Sequence, residues 1–400
     1  MFTGSMRYFL IIYLSFHSFL IAEENKKTVC LNMIVKNETE VICRCLESVK
    51  PLIDYWIIVD TGSTDNTQTM IKEFMKDIPG ELHERPWVDF AHNRTQALEL
   101  AKGKADYLLF IDADETLLMS ENFKLPPLNK DYYFITTEFS GTKYGRVQLI
   151  NNHLNWKWVG VLHEAVDCPE AKTCGSIDGI TNFVRTDGAR SKDPKKYNHD
   201  ILVLENALKA EPHNSRYAFY LAQTYKDAGE YEKAIANYHA RIAMGGWDQE
   251  IYWSKLSIAY LQELLNKDEE TIVQGYKQAY LYRPSRAEPL YRLANYYRRK
   301  GQYQAGYEIA NQGLHIKDSS DTLFVEHWIY DYGLLLEFSI CAYWQEKYQE
   351  SLLASQLLLV DATLPENVQT CVKTNLIWIR AKLNETAESY KKTLISALSE

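Results

Sequence analysis

The chain has 400 residues, 46% of them hydrophobic and 24% charged, with 44 basic against 53 acidic side chains and a formal charge of -9. That balance supplies core for two or three domains and excludes a disordered or collagenous chain. The negative sign gives no electrostatic case for a nucleic-acid partner, so any phosphate is handled locally.

Residues 7 to 22, RYFLIIYLSFHSFLIA, form an apolar segment after Arg7 and stop at EENKK. The segment fits the apolar region of a secretory signal, with a short signal anchor as runner-up. Either places the chain in the secretory pathway, in a periplasm or at a membrane; an N-terminal helix of a cytoplasmic protein is the alternative. From Thr28 strands and helices alternate. TVCLNMIV reads as a buried strand, Glu38 to Val49 as a helix, YWIIVD as a strand, Asn66 to Lys76 and Ala91 to Lys102 as helices, and Tyr107 to Ile111 as a strand. This alternation predicts a mostly parallel sheet covered on both faces. Ligands in such sheets bind beyond the C-terminal strand ends.

Three strand ends therefore belong together: Lys36-Asn37-Glu38, the run Asp60 to Thr67 (DTGSTDNT), and Asp112-x-Asp114-Glu115. An Asp-x-Asp arises about once by chance in a chain this long, so its context has to carry the reading. Asp60 is suited to accept the N-H of a uracil-like base, and Gly62 permits a tight turn. Ser63, Thr64 and Asp65 offer helix caps, and a turn with no ligand reads equally well there. Asn93 and Arg94, at a predicted helix start, could hold phosphate or ribose, while His92 reads as a capping or solvated residue. Cys168 and Cys174 flank PEAKT and could close a small disulfide in an oxidising compartment; Cys43 and Cys45 read as ordinary buried or half-buried thiols, and the seven cysteines lack the paired short spacings of a zinc site.

VCLNMIVKNE, VDTGSTDNT, DFAHNRTQALELA and LLFIDADE, in this order, resemble the nucleotide-binding half of family 2 glycosyltransferases with a GT-A fold. More narrowly, the chain resembles the branch with tetratricopeptide-like repeats after the catalytic domain. The resemblance covers about residues 28 to 165. It implies inverting transfer from a nucleotide-diphosphate sugar, with a UDP-sugar as the expected donor. Mn2+ or Mg2+ would bridge the aspartates and the diphosphate, hard oxygen ligands for a hard cation. Carried over, Asp60 contacts the base, Asp112 the ribose or a metal-bound water, and Asp114 the metal, with Asp112 also a candidate ligand. Lys36, Glu38, Asn93 and Arg94 join the nucleotide site. The string Trp156 to Glu164 also occurs in that branch, which nominates His163 as a third metal ligand. Attack by an acceptor hydroxyl needs a base, for which Glu164 and Glu115 are the candidates, Glu164 preferred. Trp156 and Trp158 could stack on a sugar or fill core.

DYYFITTEF and YGRVQLI add antiparallel strands, and DGARSKDPKK, from Asp187, reads as a junction. Beyond it the pattern is helical. Leu221-Ala222-x-x-Tyr225-x3-Gly229-x-Tyr231-x-x-Ala234 recurs as Leu293-Ala294-x-x-Tyr297-x3-Gly301-x-Tyr303-x-x-Gly306, each position 72 residues on. That spacing is about twice a tetratricopeptide period. A diverged unit from Leu256 lies between, and a fourth begins at Phe338. Most of the 28 tyrosines then serve inter-helix packing. The expected organisation is a signal or anchor over 1–25, an α/β GT-A domain, Rossmann-like with a mostly parallel sheet, over 26–190, and an all-α tetratricopeptide-like solenoid over 191–400. The polar helix from Asn384 is expected to cap the stack. The implied partners are a nucleotide sugar and a glycan, lipid or protein acceptor, with a protein partner on the repeats. The alternative is a non-catalytic tetratricopeptide scaffold whose first domain binds a nucleotide sugar without turnover.

Overall fold

The computed structural model describes residues 26–139, 142–317, 319–360 and 363–399. The apolar segment at 7–22 lies outside them. Among the described residues no helix is long and apolar enough to cross a membrane.

The first half is one eight-stranded sheet ordered β3-β2-β1-β4-β7-β6-β10-β5. Its parallel part is β1 (Val29–Val35), β2 (Tyr55–Asp60), β3 (Gly80–Glu84) and β4 (Tyr107–Phe110). The crossovers are α1 (Ile42–Val49), α2 (Thr67–Phe74) and α3 (Phe90–Leu100). β5 (Glu115–Met119), β6 (Tyr132–Phe139), β7 (Thr142–Asn151) and β10 (Cys174–Val184) complete it, β7 antiparallel to both β4 and β6. A short hairpin of β8 (Lys157–Val159) and β9 (Ala165–Asp167) stands apart. One face of the sheet packs Leu31, Met33, Ile58, Leu109, Ile135 and Leu149 with Ile42 and Leu46 of α1. The other packs Cys30, Ile57, Leu108, Phe110 and Ile150 with Leu98 of α3 and with Trp156 and Trp158. Both tryptophans are partly buried and pack against this core.

Strand β3 was not legible as a strand: GELHE is polar and only partly buried, as befits a sheet edge. Gly80 is needed there, because a Cβ on it would lie 2.2 Å from the Trp56 ring of the neighbouring strand. All seven cysteines are free, so the Cys168–Cys174 bridge does not form: Cys168 is buried, whereas Cys174 is exposed at the start of β10.

After α4 (Ala189–Lys192) every element is helical. α5 (Lys196–Ala210) leads into antiparallel pairs: α6 (Ser215–Asp227) with α7 (Tyr231–Ala243), α8 (Asp248–Leu264) with α9 (Glu269–Tyr282), α10 (Glu288–Arg299) with α11 (Tyr303–Gly313), and α12 (Leu334–Trp344) with α13 (Tyr348–Leu358). Small residues sit where helices touch: Ala222, Ala234, Ala259, Ala279, Ala294 and Ala342 are wholly buried. Buried tyrosines fill between them and send their hydroxyls to carboxylates, Tyr276 to Glu263 (2.6 Å) and Tyr225 to Glu205 (2.5 Å). The last helix, α14 (Glu366–Ser399), is a single element of 34 residues. Its residues 384–393 are exposed, so that stretch extends past the packed stack instead of covering it.

Candidate active site

Strands β2, β1 and β4 are adjacent and parallel, so their C-terminal ends open on one edge of the sheet. Asp60 ends β2 beside Val35 and is 1% exposed. Its Oδ1 accepts the N-H groups of Gly62 (2.8 Å) and Ser63 (2.7 Å), while Oδ2 is buried with no hydrogen-bond partner. An orphaned carboxylate oxygen in that position is costly unless a ligand N-H reaches it. The loop after β1 is laced to the loop after β2. Asn37, in left-handed conformation, donates its N-H to Ser63 Oγ (2.9 Å) and accepts from Thr64 N (2.7 Å). Glu38 N donates to Thr67 Oγ1 (2.8 Å), and Asp65 caps Thr67 (3.0 Å).

At the end of β4 the acids are locked in a charge lattice. Asp112 Oδ1 accepts from Arg94 Nη2 (2.5 Å) and Oδ2 from Arg146 Nη2 (3.4 Å). Arg146 Nη1 donates to Glu115 Oε1 (2.5 Å), and the Asp112 N-H to Glu115 Oε2 (3.0 Å). Arg94 Nε donates to Glu164 Oε1 (2.6 Å), and the guanidinium lies over Trp158. Burial pushes the Asp112 carboxyl up, but Arg94 and Arg146 outweigh it and hold it down to about 2. Asp114 differs: no described cation pairs with its carboxylate. Burial first, then the charges of Asp112 and Glu115, push it up to about 6. Glu38 behaves likewise, raised to about 7 by burial and then by Asp114, Asp112 and Asp65, against the N-H of Ala189 on its Oε2 (3.2 Å).

The expected metal triad is not assembled. Among the described residues no three His, Cys, Asp or Glu side chains gather as a metal site. Both oxygens of Asp112 are held by arginines, Arg94 and Arg146. The His163 ring lies flat on Tyr220, centroids 4.0 Å apart, and burial followed by Arg216, Arg190 and Lys196 holds it down to about 4. A divalent cation still fits at Asp114, a half-buried carboxylate with no described cation on it and close enough to Glu38 to raise that acid. Mg2+ in particular needs only one or two protein carboxylates when phosphates supply the remaining oxygens.

Other assignments shift as well. Asn93 is wholly buried, its Oδ1 accepting from Val88 N (2.9 Å) and its Nδ2 donating to Pro86 O (3.0 Å), so it ties the preceding loop. Arg94 is spent on two carboxylates. Lys36 is exposed at the β1 end with no ion pair among the described residues. Glu115, 2% exposed with both oxygens engaged, is not offered to an acceptor; Glu164 keeps one oxygen free of hydrogen bonds.

Two arginines escaped the sequence reading. Arg44 of α1 forms a two-pronged pair with Asp187 (2.8 Å to each oxygen). It thereby draws the segment 187–192 over the site, where Lys192 also meets Glu40. A Cβ on Gly188 would fall 2.9 Å from Asp114 Oδ2, so the chain passes directly against the proposed ligand. Arg146 could have been flagged as a charge inside an apolar strand. A bulge between Tyr133 and Phe134 of β6 and the facing Val147 to Leu149 of β7 hides its face. A cavity of about 570 Å3 opens between Asn37, Thr39, Asp65, Asp187 and Lys192. It shares the wall at Glu38 but touches none of Asp60, Asp112 and Asp114, so the charge lattice, not this cavity, marks the centre.

Residues 30–122 match the family described as Glycosyl transferase family 2. A "TPR repeat-containing protein" of Synechococcus elongatus is 41% identical over 92 residues, which is 23% of this chain and 21% of that one. The prophage-derived glycosyltransferase SunS of Bacillus subtilis is 25% identical over 223 residues, 52% of this chain and 51% of that one. The chain therefore spans about half or less of these curated relatives. A solved tetratricopeptide repeat protein from Parabacteroides merdae aligns over 50% of this chain and 73% of its own, at 15% identity and a TM-score of 0.36.

Proposed function

We propose that the chain is a metal-dependent glycosyltransferase that moves a sugar, with inversion, from a UDP-sugar to an acceptor hydroxyl. The observation that carries this reading is the inequality of the two aspartates after β4: Asp112 neutralised by two arginines, Asp114 left without a cation beside Glu38. A divalent ion held by Asp114 would offset the charge growing on the departing diphosphate. Asp60 Oδ2 would accept the N3-H of uracil. Cytosine offers a lone pair at that position, so the same oxygen rejects it. Glu164, with one oxygen fixed by Arg94, would take the acceptor proton on the other as the acceptor oxygen bonds to the anomeric carbon and the sugar-phosphate bond breaks. The match at 30–122 and the glycosyltransferase relatives support the reaction class.

The test is a thermal-shift and turnover panel of UDP-, GDP- and CDP-sugars with and without Mn2+. UDP-sugars should stabilise the chain only with metal, and Asp114→Ala should abolish both that shift and turnover. Metal-dependent stabilisation with no turnover on any acceptor class would favour the scaffold reading. Turnover undiminished in Asp114→Ala would end the metal assignment.

A further inference from the structure

We infer that the first helical repeat is a working part of the catalytic centre, with Tyr220 and Arg216 of α6 acting as positioning residues for Glu164. The inference rests on the transferase reading above.

Glu164 sits at the tip of the β8–β9 hairpin, whose strands are only three residues each and pair with one another alone. A two-stranded ribbon that short does not hold a side chain in place in water by itself. Its five-residue tip turns through two left-handed residues, Gly160 (φ 103) and His163 (φ 52), and histidine has no intrinsic preference for that conformation comparable to glycine's. The tip is held from two sides. On the catalytic side Arg94 binds the Glu164 carboxylate, and Trp158 N donates to Thr95 Oγ1 (3.1 Å), tying the stem to α3. On the solenoid side Arg216 Nη2 donates to the His163 carbonyl (2.6 Å), and Tyr220 stacks on the His163 ring at an interplanar angle of 12°. Arg216 also lies over the Tyr220 ring, 5.0 Å from its centroid, so the two anchors brace each other. Leu162, one residue further back, is buried in the cluster that holds Leu204, Phe219 and Tyr238 of the solenoid.

The peptide joining His163 to Glu164 is thus fixed by the solenoid, and the carboxylate it carries by the sheet domain. Releasing the first anchor frees the peptide to rotate away from its left-handed geometry, which moves the carboxylate relative to the donor. The donor-side groups, Asp60 and Asp114, have no hydrogen bond to α6. Loss of the anchor therefore strikes the transfer step and spares donor binding. Displacing a reacting group by about 1 Å costs on the order of 100-fold in rate.

The experiment uses the full chain with Tyr220→Ala, Arg216→Ala and the conservative Tyr220→Phe, whose ring still stacks and whose lost hydroxyl has no hydrogen bond here. Transfer from the donor found active in the panel is measured with UDP binding by calorimetry and amide exchange over residues 157–167. The expected result is kcat lower by about 10- to 100-fold in both alanine variants, with donor KM and UDP affinity within about twofold of wild type. Exchange should be faster at 160–165 and unchanged in α8 to α13, and Tyr220→Phe should match wild type. Should Tyr220→Ala loosen α8 to α13 as well, Arg216→Ala decides, since Arg216 is only half-buried and belongs to none of the solenoid's hydrophobic clusters. Unchanged kcat in the alanine variants, or a fall in donor affinity matching the fall in kcat, overturns the inference while leaving the transferase reading standing. A wild-type chain inert on every nucleotide sugar refutes the transferase reading itself, and exchange at 160–165 then decides whether α6 holds the turn at all.

Discussion

Replacing Arg146 with alanine tests the charge lattice most directly. Arg146 is the only described cation bonded to Glu115, whose side chain is 2% exposed, and the second one on Asp112. Removing one partner of a buried ion pair costs about 3–5 kcal/mol, because the other charge stays buried without compensation. Two features lower the figure here. Glu115 keeps the backbone N-H of Asp112, and Asp112 keeps Arg94. An expected loss of about 2–4 kcal/mol follows, a sizeable share of the ~5–15 kcal/mol that holds a typical domain together. The converse substitution, Glu115→Gln, should cost less, since Arg146 is 27% exposed in its side chain, can reach water, and retains Asp112. Glutamine can also still accept the Asp112 N-H. The double variant should then fall within about 1 kcal/mol of Glu115→Gln alone, the signature of a pair whose cost lies in the orphaned carboxylate. Native-state amide exchange in β4 and β5 reads the effect locally and keeps it separate from the solenoid. A loss below about 1 kcal/mol for Arg146→Ala, or no recovery in the double variant, would refute the argument that Arg146 neutralises this site.

Three further outcomes are expected. Gly188→Ala places a methyl 2.9 Å from Asp114 Oδ2 and should weaken Mn2+-dependent donor binding by about tenfold or more without lowering the melting temperature; calorimetry with unchanged affinity would show that 187–192 does not crowd the ligand. Asn93→Ala removes the partners of Val88 N and Pro86 O and should destabilise the first domain by about 1–3 kcal/mol while leaving UDP affinity intact, whereas a selective loss of UDP binding would restore Asn93 to the nucleotide site. Glu81 is held down to about 2, first by Lys104 and then by Tyr55, below the roughly 4.3 of an unfolded glutamate. Its contribution is therefore present above about pH 4.3 and lost as pH falls towards 2, so Glu81→Gln should flatten the acid limb of the stability profile in that window, and an unaltered limb would discount the cluster.

The alternating first half and the repeated second half were legible because each rests on a periodicity that burial enforces. Apolar runs such as YWIIVD become fully covered strands, and Leu-Ala-x-x-Tyr recurs because helix pairs meet at small residues. Elements without that pressure were not legible. β3 is a polar edge strand, and β9 is three residues long, below the length at which alternation carries a signal; the alternating aromatic run from Trp156 does read as a strand, but only Lys157–Val159 of it is one. The long α14 was divided in reading because its exposed end lacks the apolar stripe of its buried start. Residues 187–192 read as a linker from their Gly and charge content, yet Arg44, Glu38 and Glu40 bind them to the first domain, since a polar segment can be fixed by ion pairs as well as by burial.

Within the site, residue types were visible and pairings were not. A carboxylate after a buried strand advertises itself, but whether it holds a metal depends on which cations the tertiary structure brings to it. Straight alternation along YGRVQLI puts Arg146 in phase with Ile150, which faces α3. The bulge in β7 reverses the phase and turns Arg146 with Leu149 towards α1, where Asp112 and Glu115 lie. Two positive charges then pair with Asp112, Glu115 and one oxygen of Glu164, and leave Asp114 and Glu38 without a described cation. Asp114 is raised by burial and by Asp112 and Glu115, Glu38 by burial and by Asp114 and Asp112. On the proposed metal-dependent reading, the same lattice favours Asp114 over Asp112: a divalent cation entering at the end of β4 would gain most at the aspartate there that no arginine already pairs with.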